Sequence, residues 1–296
     1  METKIDLRNE FLRIGDKTAF SPRLIEKDYH LTRILHKISK KEIENLVFKG
    51  GTCLNKCYLG FYRLSEDLDF VFNQDVKMFS RNQVKKILDD LRRKLFLILE
   101  ELNMGTNREL GKGWKMITSK IDSKILGLEI LTNYKSVIDS TSQTIKLEIS
   151  FRNKLKNLVK KQPIHHEFIN ELGEFFLEEN IELKVINLEE NFAEKFRALV
   201  TRKNIAIRDI FDIHFILENK VLEFDKKTLK MVLEKINETP EFLYQKKDFF
   251  EFIENLDSKM KDFNEKELIA VLKTEENVNS QKMIELIKKN ILQFKS

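Results

Sequence analysis

The chain has 296 residues, 42% of them hydrophobic, which is enough for one large core or two of middle size, so intrinsic disorder is excluded and length alone predicts about two domains. Its 53 lysines and arginines stand against 48 acidic residues, a net charge of +5; this permits contact with phosphate backbones and excludes a histone-like polycation. Only 3 prolines and 9 glycines interrupt long runs rich in Leu, Ile, Lys and Glu, a composition that predicts an α+β protein weighted toward helix.

Met1-Glu2-Thr3-Lys4-Ile5-Asp6 holds no apolar signal core. No segment reaches the roughly 18 uninterrupted apolar residues of a membrane span, so a cytoplasmic protein with no membrane association is expected. Two helices come first, the second opened by Ser21 as N-cap with Pro22 at its first position and running to about Lys40. The pattern then changes. Leu46-Val47-Phe48 reads as a short strand, Gly50-Gly51 as a turn, Thr52 as the N-cap of a short helix, and Asp67-Leu68-Asp69-Phe70-Val71-Phe72 as a second strand. Cys53 and Cys57 fall in that short helix. One helical turn is poor disulfide geometry and a zinc site needs about four grouped ligands, so both read as buried, reduced thiols. Ser80 with Gln83 forms a capping box for a helix to about Asn103. Strands follow near residues 115–121, 125–134 and 144–152. Pro163 opens an acidic, partly helical connector, and Asn187 with Glu190 makes a second capping box for a helix over 188–199. Helical periodicity continues from there to Ser296. The boundary falls near residue 185, giving an α/β domain over 1–185 and a helical domain over 186–296.

Asp67 and Asp69 are two apart in a strand and so project from one face, with Leu68, Phe70 and Phe72 on the other. The D-x-D spacing alone equally fits a strand with a solvated polar face. Paired carboxylates backed by apolar residues also suit magnesium or manganese, which activate an attacking hydroxyl and hold a leaving phosphate. The neighbourhood favours the second reading. Lys49-Gly50-Gly51-Thr52 lies just upstream at a strand-to-helix junction, where glycines let backbone N–H groups approach phosphate oxygens. Gly50-Gly51-Thr52 followed by Arg63-Leu64-Ser65-Glu66-Asp67-Leu68-Asp69-Phe70 therefore joins a phosphate cradle to a metal-binding strand. The nearest approach to a Walker loop, from Gly105 to Lys112, has one residue too many and is followed by Gly113. In Thr144-Ile145-Lys146-Leu147-Glu148-Ile149-Ser150-Phe151 the alternation puts Glu148 on the polar face, where adjacent pairing would bring it to the metals; an exposed strand glutamate is the other reading. Glu194-Lys195-Phe196-Arg197 is followed by Arg202, Arg208, Asp209 and Asp212. Arg208 and Asp212, one helical turn apart, fit a surface pair; a Lys195 amine positioned by an aspartate and reaching a triphosphate would instead supply charge stabilisation for phosphoryl transfer.

In these motifs the chain resembles the AbiEii/AbiGii nucleotidyltransferase toxins of bacterial type IV toxin–antitoxin pairs. The likeness rests on Glu26-Lys27-Asp28-Tyr29, Phe48-Lys49-Gly50-Gly51-Thr52-Cys53-Leu54, the Arg63–Phe70 stretch, and Ala193-Glu194-Lys195-Phe196-Arg197-Ala198-Leu199 continuing to Arg208-Asp209-Ile210-Phe211-Asp212. The resemblance implies a polymerase-β-like domain with a mixed sheet plus a C-terminal helical domain, and an enzyme that uses a nucleoside triphosphate and Mg2+ (or Mn2+). Its acceptor would be RNA, in particular transfer RNA, and a cognate antitoxin would oppose it. Carried over, Gly50, Gly51 and Thr52 would hold phosphate and Ser65 would help at the nucleotide. Asp67 and Asp69 would hold the metals, Lys195 would contact the triphosphate, and Asp209 or Asp212 would complete the site; Glu148, where many enzymes of this class have Asp, is the candidate third metal carboxylate from strand pairing. Beyond about residue 220 no family motif is present. Transfer to a small molecule or protein, and a non-catalytic nucleic-acid-binding module, are the competing readings; intact Gly50, Gly51, Asp67, Asp69 and Lys195 argue against the latter. The stretch from Arg152 to Lys161 contains no acidic residue and is the candidate RNA contact.

Overall fold

The short apolar stretches of the first half pair into one mixed sheet. The computed structural model describes residues 5–106, 113–119, 123–151, 154–239, 244–260, 266–274 and 278–295, and the chain divides into two compact units, Met1–Ile186 and Asn187–Ser296. The strands of the first unit are β1 (Leu46–Lys49), β2 (Asp67–Phe72), β3 (Gly105–Thr106), β4 (Trp114–Thr118), β5 (Ile125–Lys135), β6 (Ser142–Ser150), β7 (Lys160–Pro163) and β8 (Glu182–Val185). Their order is β3-β5-β6-β2-β1-β8-β7, with β4 pairing along β5 as well. β2 runs antiparallel to β1 and parallel to β6, and β5 runs antiparallel to β6.

Alternation sorts the central strands into two faces. Leu68 and Phe70 of β2, Ile145, Leu147 and Ile149 of β6, and Leu128 and Ile130 of β5 are all buried in one core. Two helices complete that core, α2 (Pro22–Lys41) with Leu31, Ile34 and Leu35, and α4 (Arg81–Glu101) with Leu88, Leu91 and Leu95. Each such side chain contributes about 2 kcal/mol through burial. The start of α4 is the capping box that its sequence predicts: Gln83 N donates to Ser80 Oγ (3.3 Å) and Ser80 N to Gln83 Oε1 (2.8 Å). Helix α1 (Leu7–Thr18) is capped by Asp6, whose carboxylate accepts from Arg8 N and Asn9 N.

Two local expectations are corrected. Thr52 does not cap a helix: helix α3 (Gly50–Cys53) begins two residues earlier, Lys49 stands at its N-cap, and the winding widens to a π-helical turn over Leu54–Leu59. The stretch after Pro163 is not helical. Pro163 closes β7, an edge strand that tolerates a residue without an N–H. Farther on, the Asn170 side chain accepts from Leu172 N (3.0 Å) and Glu174 N (2.9 Å), while Gly173 takes a left-handed φ of 81°. Such side-chain bonds compete with helix formation. The outer ends of the strands expected near residues 121 and 152, and the Walker-like spacing over 107–112, lie outside the described residues.

The second unit is helical throughout its described residues: α5 (Leu188–Thr201), α6 (Ile207–Glu218), α7 (Lys226–Ile236), α8 (Lys246–Glu254), α9 (Leu256–Lys259), α10 (Lys266–Ile269) and α11 (Ser280–Leu292). Asn187 caps α5 by accepting from Glu189 N at 2.9 Å. Phe192 and Phe196 of α5 meet edge to face (5.1 Å between centroids), and Phe196 also contacts Phe224 and Phe249. Among the described residues no helix is long and apolar enough to cross a membrane.

Helix α2 also carries charge into the interior. The Asp28 carboxylate meets the Lys56 ammonium at 2.8 and 2.9 Å, with side chains 2% and 0% exposed. This pins α2 to the π-helical turn. Its neighbour Glu26 accepts from Ser136 Oγ (2.5 Å) and Val137 N (2.6 Å), and Lys27 pairs with Glu66 at 3.2 Å. Removing one member of a buried pair strands the other charge. Asp28→Ala is therefore expected to cost about 3 kcal/mol or more in urea unfolding, and Asp28→Leu combined with Lys56→Met to recover most of it; a single-variant loss under about 1 kcal/mol would show that the pair is not a structural bolt.

Candidate active site

Strand β1 ends where Lys49 lies opposite Asp69 of β2, and the chain then turns at Gly50 with φ 79°. A Cβ built on Gly50 would lie 2.9 Å from Asp69 Cβ and run into the carboxylate. Glycine is thus needed here twice, for the left-handed backbone and for the close approach. A Cβ on Gly51 would lie 2.7 Å from Arg63 Nη2 and 3.4 Å from Ser65 Oγ. The turn is therefore flanked by the carboxylate of Asp69 at Gly50, and by the guanidinium of Arg63 and the hydroxyl of Ser65 at Gly51. Thr52 is buried and its hydroxyl donates to the Asp67 carbonyl, tying the turn to β2. Arg63, also buried, donates from Nη1 to the Leu64 carbonyl at 2.9 Å, and its own carbonyl accepts from the Asn55 side-chain amide. Cys53 and Cys57 are free thiols, Cys53 buried and Cys57 half-buried; burial, with Cys57 alongside, pushes the Cys53 thiol well above its ordinary pKa.

The second feature is a charged band across the polar face of the sheet. Register pairs Asp67 with Lys146, Asp69 with Glu148, and Glu148 in turn with Glu129 of β5. Lys146 Nζ lies 3.8 Å from Asp67 Oδ2 and 3.5 Å from Glu148 Oε2, while Glu129 pairs with Lys115 at 2.8 Å. Burial, and then the charges of Glu148 and Asp67, raise the Asp69 carboxyl above its ordinary pKa, against the opposing pull of Lys49 and Lys146. Burial pulls Lys146 down, yet Asp67, Glu148, Asp69 and Glu129 together carry it above the usual lysine value. Among the described residues no three His, Cys, Asp or Glu side chains form a ready-made cation cage. The donor set is nonetheless all carboxylate oxygen, which suits a hard divalent cation, and the crowding that disfavours the Asp69 charge is what such a cation would relieve.

In the second unit Lys195 of α5 is held between two carboxylates of α6, Asp209 at 2.9 Å and Asp212 at 2.7 Å, and Arg202 also pairs with Asp209. Asp212 is fully buried, which sets it apart from the solvent-exposed partner that its one-turn spacing from Arg208 suggests. On α5 Glu190 and Glu194, with Glu238, surround the buried Lys235 of α7 at 2.6, 3.2 and 3.4 Å.

A family profile described as "Nucleotidyl transferase AbiEii toxin, Type IV TA system" matches residues 33–286. The chain belongs to this family. It is accordingly an AbiEii-type nucleotidyltransferase toxin, of a family that acts on nucleoside triphosphates and is paired with an antitoxin. Among solved structures, MenT4, nucleotidyltransferase toxin Rv2826c from Mycobacterium tuberculosis H37Rv, is similar with a TM-score of 0.60 at 16% identity, covering 96% of this chain and 87% of that one. JHP933 from Helicobacter pylori is similar with a TM-score of 0.51 at 18% identity, covering 91% and 90%. At such identities the likeness speaks for the fold alone, an α+β fold consistent with the polymerase-β-like one that the family implies. Comparison with the curated proteins gives no match.

The sequence reading assigns no role to Arg63, Lys146 or Glu129, which the structure places beside the Gly51 turn and on the charged band. The alternation in Ile125–Lys135 puts Glu129 on the polar side, a signal that was available.

The raised carboxyl at Asp69 has a sign. The folded chain keeps a proton there that the unfolded chain releases, so stability falls as pH rises from the ordinary carboxylate range through the raised value. Asp69→Asn is expected to stabilise the metal-free chain at neutral pH, and not in acid, where the wild-type carboxyl is itself neutral. Urea unfolding at the two pH values checks this; an equal gain at both would locate the effect in packing.

Lys195→Ala removes the ammonium that the buried Asp209 and Asp212 share and is expected to cost about 3 kcal/mol, with Lys195→Ala/Asp212→Asn recovering at least half. Thermal melts of both variants decide it, and no recovery in the double variant would assign the loss to the lysine's packing.

Proposed function

We propose that the chain transfers a nucleotide from a nucleoside triphosphate to an RNA acceptor, in particular transfer RNA, with pyrophosphate leaving, and that Asp67, Asp69 and Glu148 hold Mg2+ or Mn2+. The observation that carries this reading is the packing of the Gly50 turn against Asp69, with Glu148 in register beside it. A substrate phosphate at the turn would lie next to the carboxylates. When bound, a divalent cation polarises the phosphoryl group and lowers the pKa of the attacking hydroxyl. The chain's own residues do the rest. Gly50 and Gly51 present backbone without side chains to the phosphates, Thr52 fixes the turn through the Asp67 carbonyl, and the Ser65 hydroxyl and Arg63 guanidinium border it. In the second unit Lys195, with its direction fixed by Asp209 and Asp212, is the other group assigned to catalysis.

RNA as acceptor is supported by the toxin family and by the exposed lysines Lys154, Lys156, Lys160 and Lys161. Lys161 is partly engaged, pairing with Glu42 at 2.9 Å; Arg152, the first residue of this basic stretch, lies outside the described residues. Backbone contacts by lysine release counterions, so binding through this segment must weaken as salt rises.

One assay tests the proposal: each labelled nucleoside triphosphate is incubated with total bacterial RNA, with and without Mg2+, across a range of salt concentrations. Label is expected in small RNA with the wild type, at least about 100-fold less with Asp67→Asn or Asp69→Asn, and at least about tenfold less with Lys195→Ala. Neutralising the four lysines should weaken RNA binding and flatten its salt slope. Wild-type transfer by both aspartate variants would remove the metal assignment, and label on protein or small molecules would replace RNA as acceptor.

A further inference from the structure

The buried lysines of this chain make tight pairs. Lys56 lies 2.8 Å from Asp28, Lys195 lies 2.7 Å from Asp212, and Lys235 lies 2.6 Å from Glu190. Lys146 differs. It sits in the middle of the acidic band, opposite Asp67 in the β2–β6 register and two residues from the Asp69–Glu148 pair on the same face, yet its ammonium stands off at 3.8 and 3.5 Å with a third of its side chain exposed. The other nearby positive charges bear on other carboxylates: Lys115 pairs with Glu129 on β5, and Lys49, opposite Asp69 in the β1–β2 register, acts on Asp69. Among the described residues Lys146 is the cation that pairs with both Asp67 and Glu148, and both contacts are long.

We propose that Lys146 is an internal counter-ion of the carboxylate site: it occupies the place between Asp67 and Glu148 that a divalent cation would take, and gives that place up only when a nucleotide arrives with the metal. This rests on the assignment of Asp67, Asp69 and Glu148 as the metal-holding set. A divalent cation takes carboxylate oxygens at about 2.1 Å when it is Mg2+, so it and the ammonium cannot both lie among the same oxygens without strong like-charge repulsion. Free metal therefore binds against Lys146. A metal–triphosphate complex brings the metal together with several negative charges, and the ammonium, on a flexible and partly exposed stem, moves from carboxylate to phosphate. Lys146 thus favours the metal–nucleotide complex over the bare ion.

The test is Mn2+ binding to the full chain without nucleotide, followed by the electron paramagnetic resonance signal of free Mn2+, for the wild type, Lys146→Gln and Lys146→Arg. Circular dichroism confirms that each is folded. Lys146→Gln is expected to bind Mn2+ about tenfold more tightly than the wild type, and Lys146→Arg, which keeps the charge, to stay within about threefold of it. With Mn2+ saturating, the nucleoside triphosphate should bind Lys146→Gln about tenfold more weakly. Mn2+ affinity in Lys146→Gln equal to or below that of the wild type overturns the proposal. Adding Asp67→Asn to Lys146→Gln separates this from the parent reading: weaker Mn2+ binding in the double variant keeps the carboxylates as the metal site. Mn2+ binding that ignores Asp67→Asn, or that is absent from every variant, overturns the metal assignment and the role of Lys146 with it.

Discussion

Gly50 comes so close to Asp69 that a Cβ would run into the carboxylate, and the rest of the first unit can be read as what keeps that approach in place. The antiparallel register of β1 and β2 sets Lys49 opposite Asp69 and so decides which residue turns at the strand end. Thr52 clamps the turn to the Asp67 carbonyl, Arg63 fills the space beside Gly51, and the Asp28–Lys56 pair holds the following π-helical turn to α2. Each contact is local, and each has its partner far away in sequence. A shift of one residue in the β1–β2 pairing would exchange the two faces of the strand, placing Asp67 and Asp69 in the core and Leu68 in water.

The parts of this arrangement that were legible in the sequence are those set by short-range periodicity. The alternation of Asp67–Phe72 marks the strand and its two faces, and Ser80 with Gln83 marks the start of a helix; both follow from residues a few positions apart. The glycine turn and the aspartates were recognisable as a unit because their spacing carries chemistry. What was not legible depends on long-range pairing. Lys160-Lys161-Gln162-Pro163 has no apolar alternation and becomes a strand only because β8 lies beside it. Thr52 has the chemistry of a cap, but its hydroxyl goes to a carbonyl 15 residues away. The spacing of Asp212 from Arg208 gives no sign that the packing of α5 on α6 buries it against Lys195.

Stability and chemistry pull against each other on the polar face of the sheet. Glu129 directly opposite Glu148, with Asp69 on its other side, is an arrangement that opposes folding, since like charges paired across strands repel. The apolar face has the opposite character, with Leu68, Phe70, Leu147 and Ile149 closing a continuous core under α2 and α4. Stabilisation gathered on one side of the sheet is what lets the other side hold charge in an unfavourable place. The buried ion pairs extend the same division of labour: Asp28–Lys56 and Lys195–Asp212 are tight and enclosed, whereas the Lys146 contacts are long and open to water.

Strand β7 bears on how the molecule behaves at high concentration. It ends the sheet at one edge, where Lys160 and Lys161 are exposed, Lys161 in a pair with Glu42, and Pro163 offers no donor. An edge so guarded is a poor template for another strand. Copies of the chain brought together in a crowded solution will not grow a shared sheet from this side, and any self-association has to begin on a different surface.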